Sequence, residues 1–225
     1  MDRNYLISIN QLADFSKATD AKKRTIIRQQ KEPNKFRMAY YQLAKARMKK
    51  TIEKHGDLEP ILNGMIDLLS RKPEKVRQIN DKVVSLEAMK RFINLKLPDL
   101  LCNVPHEVIK KPKFKSIFLN GVEIIISPDV IIRLELDGKK YLGAVKIHIS
   151  KNNVFDNLQS RYISTLLFKY LNEVIAKDDE EVLDSLCLSI DVFGDSIISV
   201  PNNFSDTVND IEMICDEVKT IWNVA

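Results

Sequence analysis

Residues 122–150 read VEIIISPDVIIRLELDGKKYLGAVKIHIS, and this stretch decides the fold. Apolar and polar residues alternate on both sides of Asp137-Gly138. A period of two predicts β-strands with one buried face. Asp-Gly between two such runs is typical of a tight hairpin, because both turn positions need φ > 0. The stretch therefore predicts an antiparallel β-hairpin.

A two-residue turn fixes the register of this hairpin. Leu136 then faces Lys139, and counting back along both strands places Asp129 opposite Lys146. Opposed residues point to the same side of a sheet, with their Cβ atoms roughly 5 Å apart. A carboxylate and an ammonium group should therefore meet beside Pro128, whose missing N–H predicts a kink or bulge in the strand.

Pro128-Asp129, the hairpin, Lys146 and the helix expected after it resemble the core of the PD-(D/E)XK nuclease superfamily, over roughly residues 86–193. In that family an aspartate and a second acidic residue hold a divalent metal ion, and a lysine assists the attacking water. The resemblance implies that Asp129 is a catalytic residue and Mg²⁺ ligand, and that Lys146 is the catalytic lysine. The second acidic position is Ala144, whose methyl group offers none of the oxygen ligands that Mg²⁺ requires. The resemblance therefore implies a weak or inactive metal-dependent phosphodiesterase. The alternative is a cross-strand ion pair with a purely structural role.

Five other side chains are candidates for accessory roles. Gln159 and Tyr162 are similar to a Gln and Tyr pair of the RecB-type nucleases, although their spacing is three rather than four. Their alternative roles are a solvated polar residue and a core aromatic. His148 shares the predicted face of the lysine. If another carboxylate replaces the missing metal ligand, Glu87 and Glu107 are the candidates that can approach the aspartate.

The charges of the chain are distributed unevenly. Residues 1–56 contain fourteen Lys or Arg and five acidic residues, whereas residues 178–225 contain twelve acidic residues and one Lys. This asymmetry predicts either a surface that faces a polyanion or two ends that neutralise each other in the fold. The basic residues expected to contact phosphates lie in helical stripes: Arg24, Arg28, Lys31, Lys45 and Lys49.

Composition indicates a globular protein. The 225 residues are 44% hydrophobic and 29% charged, with a net charge of +4. We expect no signal peptide and no membrane span, because no long apolar run is present. Three widely spaced cysteines without a CxxC pair favour reduced thiols and a cytoplasmic location.

The pattern predicts an α+β (α/β) protein in two parts: a helical region over residues 1–85 and a nuclease-like core with a C-terminal helix over residues 86–225. The core should hold a small mixed sheet flanked by helices. Predicted helices cover residues 16–30, 36–55, 58–69, 76–93, 154–176 and 206–222, and predicted strands outside the hairpin cover 116–119, 122–126 and 185–193.

Three functions follow. The first is a nuclease-like protein of nucleic-acid processing or phage defence, with a degenerate site that would take Mg²⁺. The second is a non-enzymatic DNA- or RNA-binding module whose basic helices contact phosphates. The third is a protein-interaction subunit or homo-oligomer that assembles through its uneven charges.

Overall fold

The structure is a computed structural model, and it describes residues 5–32, 40–110 and 112–224. The predicted α+β class is confirmed. The helices are α1 Ile9–Ser16, α2 Asp20–Lys31, α3 Gln42–Glu53, α4 Glu59–Ser70, α5 Val76–Asn94, α6 Asp99–Asn103, α7 Asn157–Tyr170 and α8 Phe204–Val224. The strands are β1 Tyr5–Ser8, β2 His106–Val108, β3 Ser116–Leu119, β4 Val122–Ile125, β5 Val130–Leu136, β6 Lys139–His148, β7 Glu180–Asp191 and β8 Ser196–Ile198. No helix in these described ranges is long and apolar enough to cross a membrane.

The predicted hairpin is formed by β5 and β6. Leu136 pairs with Lys139 and Val130 with Val145, as the two-residue turn requires. Asp137 and Gly138 have φ values of +52° and +76°, which are the left-handed conformations of this turn. The predicted register is therefore confirmed.

A kink separates β4 from β5, as Pro128 predicted. β4 ends at Ile125, β5 begins at Val130, and Ser127 between them has a φ of +40°. The backbone N–H groups of Ile126 and Ser127 both donate to the carbonyl oxygen of Lys115. These hydrogen bonds hold the kink against the start of β3.

The strands form two sheets. One has the order β1-β4-β3, and the other is a mixed sheet of order β2-β5-β6-β7-β8. α7 connects β6 to β7, which run parallel, while the other neighbours in the five-stranded sheet are antiparallel. The expected small mixed sheet with flanking helices is thus confirmed.

Each face of the larger sheet buries its own core. One face packs against α3, α4 and α5 through residues such as Ile132, Ile147 and Met48. The other face packs against α7 and, beyond it, against α1, α8 and the smaller sheet, through residues such as Ile131, Ala144 and Leu166. Both faces of the hairpin strands are therefore buried, whereas the alternation of apolar and polar residues predicted a single buried face.

The N-terminal segment contains a strand that was not predicted. β1 pairs in parallel with β4, with Tyr5 opposite Val122. Its four residues are too few to show a period of two, and its partner is distant in sequence. Residues of α1 and α2 share a core with β4 and α8. The proposed division at residue 85 stays a prediction, but β1, α1 and α2, within residues 5–31, pack against elements of the second part.

Several predicted boundaries need correction. The helix expected over 16–30 is α2, which begins only at Asp20 after the cap formed by the Thr19 hydroxyl, and α1 before it was not predicted. α3 begins at Gln42, and the first part of the helix predicted over 36–55 falls on residues 33–39, outside the described ranges. The helix predicted over 154–176 begins at Asn157 and ends in a π-helical turn, Leu171–Ile175. The strand predicted over 185–193 begins earlier, because β7 starts at Glu180, which pairs with Arg133.

Candidate functional site at the strand kink

Asp129 lies at the kink and is held by three contacts. Its Oδ2 atom accepts a 2.8 Å hydrogen bond from the backbone N–H of Ile147 and lies 2.9 Å from Nζ of Lys45 on α3. Its own backbone N–H donates to the carbonyl oxygen of Val145. The side chain is only 11% exposed. The carboxylate is thus fixed in place, and its charge is balanced by Lys45 of α3.

Lys146 faces the kink, as predicted, but it binds the backbone. Its Nζ donates to the carbonyl oxygens of Ile126, at 3.1 Å, and Ser127, at 2.6 Å. Burial lowers the pKa of Lys146 to about 8; the nearby charges of Lys45 and Lys49 act in the same direction, and that of Asp129 opposes them. Among the described residues, the direct ion-pair partner of Asp129 is Lys45.

Ala144 occupies the position where the nuclease family has its second acidic residue. It lies opposite Ile131 on β5 and beside Cys187 on β7, and it is fully buried in the apolar layer under α7. A carboxylate at this position would enter a core without a polar partner. Alanine in place of the family's acidic residue is therefore consistent with the apolar packing at this position.

A cavity of about 330 Å³ opens beside Asp129. Its polar lining comes from α3, from the end of β2 and from the kink: Lys49, Glu53, Lys110, Lys115, Ser127 and Asp129. Lys49, Lys110 and Lys115 form no ion pair with any residue in the described ranges. Three unpaired ammonium groups around one small cavity, next to a carboxylate that already has a cation, create an anion-attracting site.

Sequence reasoning identified only Lys49 and Asp129 among the six polar residues of this lining. Lys110 belongs to the run Lys110-Lys111-Pro112-Lys113, which has the composition of a linker. Lys115 precedes a short strand and matches no motif, and Glu53 lies at the end of α3. The only available signal was the density of lysines between 110 and 115, immediately before the kinked hairpin.

The residues expected to bind nucleic acid fall on two separate surfaces. Lys45 and Lys49 lie on α3, which packs on β5, so this predicted stripe meets the predicted catalytic pair at the kink. Arg24 and Arg28 are exposed on α2, which packs against the acidic α8. Lys31 donates to the carbonyl oxygen of Trp222 on α8.

The charge asymmetry is partly internal. Lys23 of α2 forms an ion pair of 2.5 Å with Glu217 of α8, and α2 contacts α8 along its length. Part of the basic N-terminal region therefore neutralises the acidic C-terminal helix, which was one of the two interpretations of the asymmetry.

The accessory candidates beyond Asp129 have structural contacts. His148 stacks on Phe155 at a centroid distance of 3.6 Å, and its Nε2 lies 2.7 Å from the carbonyl oxygen of Asn153. Burial lowers its pKa. Gln159 and Tyr162 are buried on α7, where Tyr162 belongs to the core and Gln159 donates to the carbonyl oxygen of Ala13.

Gln159 also belongs to the N-cap of α7. The Asp156 carboxylate accepts from the Gln159 backbone N–H, and the Gln159 side chain accepts from the Asp156 backbone N–H. This reciprocal pair is a capping box. The helix predicted from residue 154 therefore begins three residues further on, after the cap Asp156.

Glu87 and Glu107 have cationic partners of their own. Glu87 binds Lys151 at 2.8 Å, and this hydrogen bond is the main reason that its pKa is lowered. Glu107 pairs with Arg133. Neither residue lines the cavity beside Asp129, whereas Glu53 does.

The residues at the kink do not fit a Mg²⁺ site. Mg²⁺ needs near-octahedral oxygen ligands, and it is usually held by one or two carboxylates together with water and phosphates. Here the single carboxylate at the kink is paired with Lys45, and the second position of the family is an alanine in the core. Within the described ranges, no group of three or more His, Cys, Asp or Glu side chains is arranged to hold a metal ion.

Comparison with known proteins identifies no family for this chain. A scan against protein-family models and a search of curated proteins each find no match to this chain. The functional conclusion therefore depends on the geometry of the site and on the motif at Asp129 and Lys146.

Proposed function

We propose that this protein binds nucleic acid and that the cavity at the kink receives one backbone phosphate. The observation that carries the proposal is the convergence of the basic stripe of α3 with the kinked hairpin, where Lys49, Lys110 and Lys115 surround a cavity of about 330 Å³. The proposal retains the nuclease-like fold that the motif implies, but its function is to bind nucleic acid and not to cleave it.

Charge at the cavity favours an anion. Lys45 balances Asp129, and the Nζ of Lys146 is directed to backbone carbonyl oxygens, so the three lysines of the lining supply the net charge. A phosphate can accept hydrogen bonds from several ammonium groups at once, and charge-assisted hydrogen bonds are stronger than neutral ones. Sequence-independent binding of this kind is driven by counterion release and weakens steeply with salt.

A second candidate is a metal-dependent nuclease that uses Glu53. This residue lines the same cavity as Asp129, and its present partner, Lys50, is exposed. In this candidate, Glu53 and Asp129 would be the two carboxylates that hold a metal ion, and the ion would supply a Lewis acid. A role in phage defence and a cytoplasmic location stay predictions that accompany either candidate.

One substitution separates the two candidates. Asp129→Asn keeps an oxygen that can accept from the Ile147 N–H but removes a negative charge from the rim of the cavity and releases Lys45. If the cavity binds phosphate, affinity for nucleic acid should rise roughly threefold to tenfold. If the site is a nuclease, the same change should abolish Mg²⁺-dependent cleavage.

The measurement is fluorescence anisotropy of labelled duplex and single-stranded oligonucleotides, titrated at several salt concentrations with and without Mg²⁺. Lys49→Gln with Lys115→Gln should weaken binding and flatten the salt dependence by about two units of slope. Lys139→Gln and Glu181→Gln are matched controls, because they lie at the turn end of the sheet, about 20 Å from Asp129 at about 3.3 Å per residue.

Two results would overturn phosphate binding at the kink. One is wild-type protein that binds neither oligonucleotide at low salt. The other is an Asp129→Asn variant whose affinity falls while that of the Glu181→Gln control stays unchanged. Cleavage by the wild type that is lost in both Asp129→Asn and Glu53→Gln would establish the nuclease candidate instead.

A further inference from the structure

The α4–α5 helical hairpin exposes a row of apolar side chains that the proposed function does not use. Leu62, Ile66 and Leu69 on α4 are 49%, 65% and 62% exposed. Val76, Ile79 and Val83 on α5 are 73%, 41% and 58% exposed. These six residues are called the α4–α5 face.

The two rows of this face lie side by side. Lys82, next to Val83 in sequence, donates from α5 to the carbonyl oxygens of Leu69 and Arg71 at the end of α4. The spacing is four then three on α4 and three then four on α5, which places each row along one side of its helix. The opposite sides are occupied by core residues such as Ile61 and Met89.

The size of the face is comparable with an interface. It exposes on the order of 600 Å² of apolar surface, the upper end for the largest patch of an ordinary monomer. A stable interface buries about 800 Å² on each partner. Because only about 60% of a typical interface is apolar, this face is large enough for one side of such an interface.

We propose that the α4–α5 face binds the same face of a second copy of this chain, forming a two-fold symmetric dimer. Two copies of a helical hairpin whose apolar rows run side by side can pack face to face as a four-helix bundle. A two-fold axis requires a self-complementary surface, and the α4–α5 face supplies both sides from one sequence.

Several of the charges at the ends of α4 are already balanced within one copy. Lys54 lies 3.6 Å from Asp57 and 3.3 Å from Glu59 at the start of α4, and Arg71 pairs with Asp67 at its end. Charged groups that are already paired can stay at the polar rim of the interface, so the apolar rows determine how the two copies pack.

The test is sedimentation equilibrium of the full chain over a wide concentration range. Wild-type protein should show a reversible monomer–dimer equilibrium toward twice 25.9 kDa. Ile66→Glu with Val83→Glu should weaken the dimer by at least about 100-fold, because both charges would be buried at the centre of the interface. Met213→Glu is the matched control: Met213 is 71% exposed on α8, and its replacement should leave the equilibrium unchanged.

The outcomes are distinguishable. Because Ile66 and Val83 are exposed, the double variant should keep the wild-type circular dichroism spectrum and melting temperature, and a second pair, Leu62→Glu with Val76→Glu, should act in the same way. Wild-type protein that stays monomeric at all concentrations, a dimer that both double variants preserve, or open-ended association would each overturn the proposal. Recruitment of the monomer to lipid vesicles through the same face would also overturn it, in favour of a membrane surface.

Discussion

The Nζ atom of Lys146 donates a 2.6 Å hydrogen bond to the carbonyl oxygen of Ser127, the residue whose φ of +40° turns β4 into β5. The lysine on one strand of the hairpin therefore fastens the bend that precedes the other strand. A second hydrogen bond reaches the carbonyl oxygen of Ile126. This contact gives Lys146 a structural role that is independent of any reaction.

The pH dependence of stability tests this role. Burial lowers the pKa of Lys146 from 10.5 to about 8, so between these values the unfolded chain binds a proton that the folded chain does not. Stability should therefore rise with pH across this window, and the cost of burying the ammonium group, roughly 3 kcal/mol, is fully present below pH 8.

The measurement is urea unfolding of wild type, Lys146→Met and Lys146→Arg from pH 7.5 to 10.5. The stability of Lys146→Met relative to wild type should fall by about 2–3 kcal/mol as pH rises. Lys146→Arg, which stays charged, should lose stability relative to wild type over the same range. Differences that do not change with pH would contradict the burial of a charged Lys146.

Ala144→Glu tests whether a metal site can be restored. Because Ala144 is fully buried beside Ile131 and Cys187, the variant should lose about 4 kcal/mol of stability. Mg²⁺ should not recover the loss, since the kink offers too few oxygen ligands. Thermal unfolding with and without Mg²⁺ measures both effects, with Ala144→Gln as the uncharged control. Stabilisation of the Glu variant alone by Mg²⁺ would show a latent site of the nuclease type.

The basic side of α2 is a separate surface. Arg24 and Arg28 are exposed and form no ion pair with a described residue. Arg24→Glu with Arg28→Glu should weaken binding to a duplex and flatten its salt dependence if the nucleic acid extends from the kink to α2. The control is Lys139→Glu. Unchanged affinity and slope would confine the contact to the kink and remove α2 from the binding surface.

Variants of the α7 N-cap test whether Gln159 has a structural role or a direct role at the site. Asp156→Ala should cost about 1 kcal/mol, because the cap of the crossover helix is lost. Gln159→Ala should also destabilise the fold, since it loses the same cap and the hydrogen bond to Ala13. Both variants should bind oligonucleotides like wild type when folded. A binding defect in Gln159→Ala at full stability would indicate a direct role of this side chain.

Local chemistry explains which features of the fold were predictable. Asp137-Gly138 fixes the turn through its own backbone preference, and the kink follows from the missing N–H of Pro128. The partner of Asp129 was not predictable in the same way. Lys45 reaches it because α3 docks across β5, and sequence spacing contains no information about that contact.

The lining of the cavity beside Asp129 and the N-cap of α7 also depend on contacts that local sequence does not determine. Lys110 and Lys115 meet Lys49 only after β2, β3 and α3 have assembled, so no local motif marks them. Asn152, Asn153 and Asp156 are all good N-cap residues, and propensity alone does not choose among them. The choice of Asp156 depends on Phe155, which is buried and stacks on His148.

The parallel pairing of β1 with β4 has a consequence for synthesis of the chain. Tyr5 leaves the ribosome long before Val122, its partner, exists. During that interval the apolar residues Ile7 and Ile9 have no sheet to join. Contacts this distant in sequence slow folding, since a long loop must close before they contribute. Nascent chains should therefore stay sensitive to protease until β4 has emerged, and completion of the smaller sheet is a late event in folding.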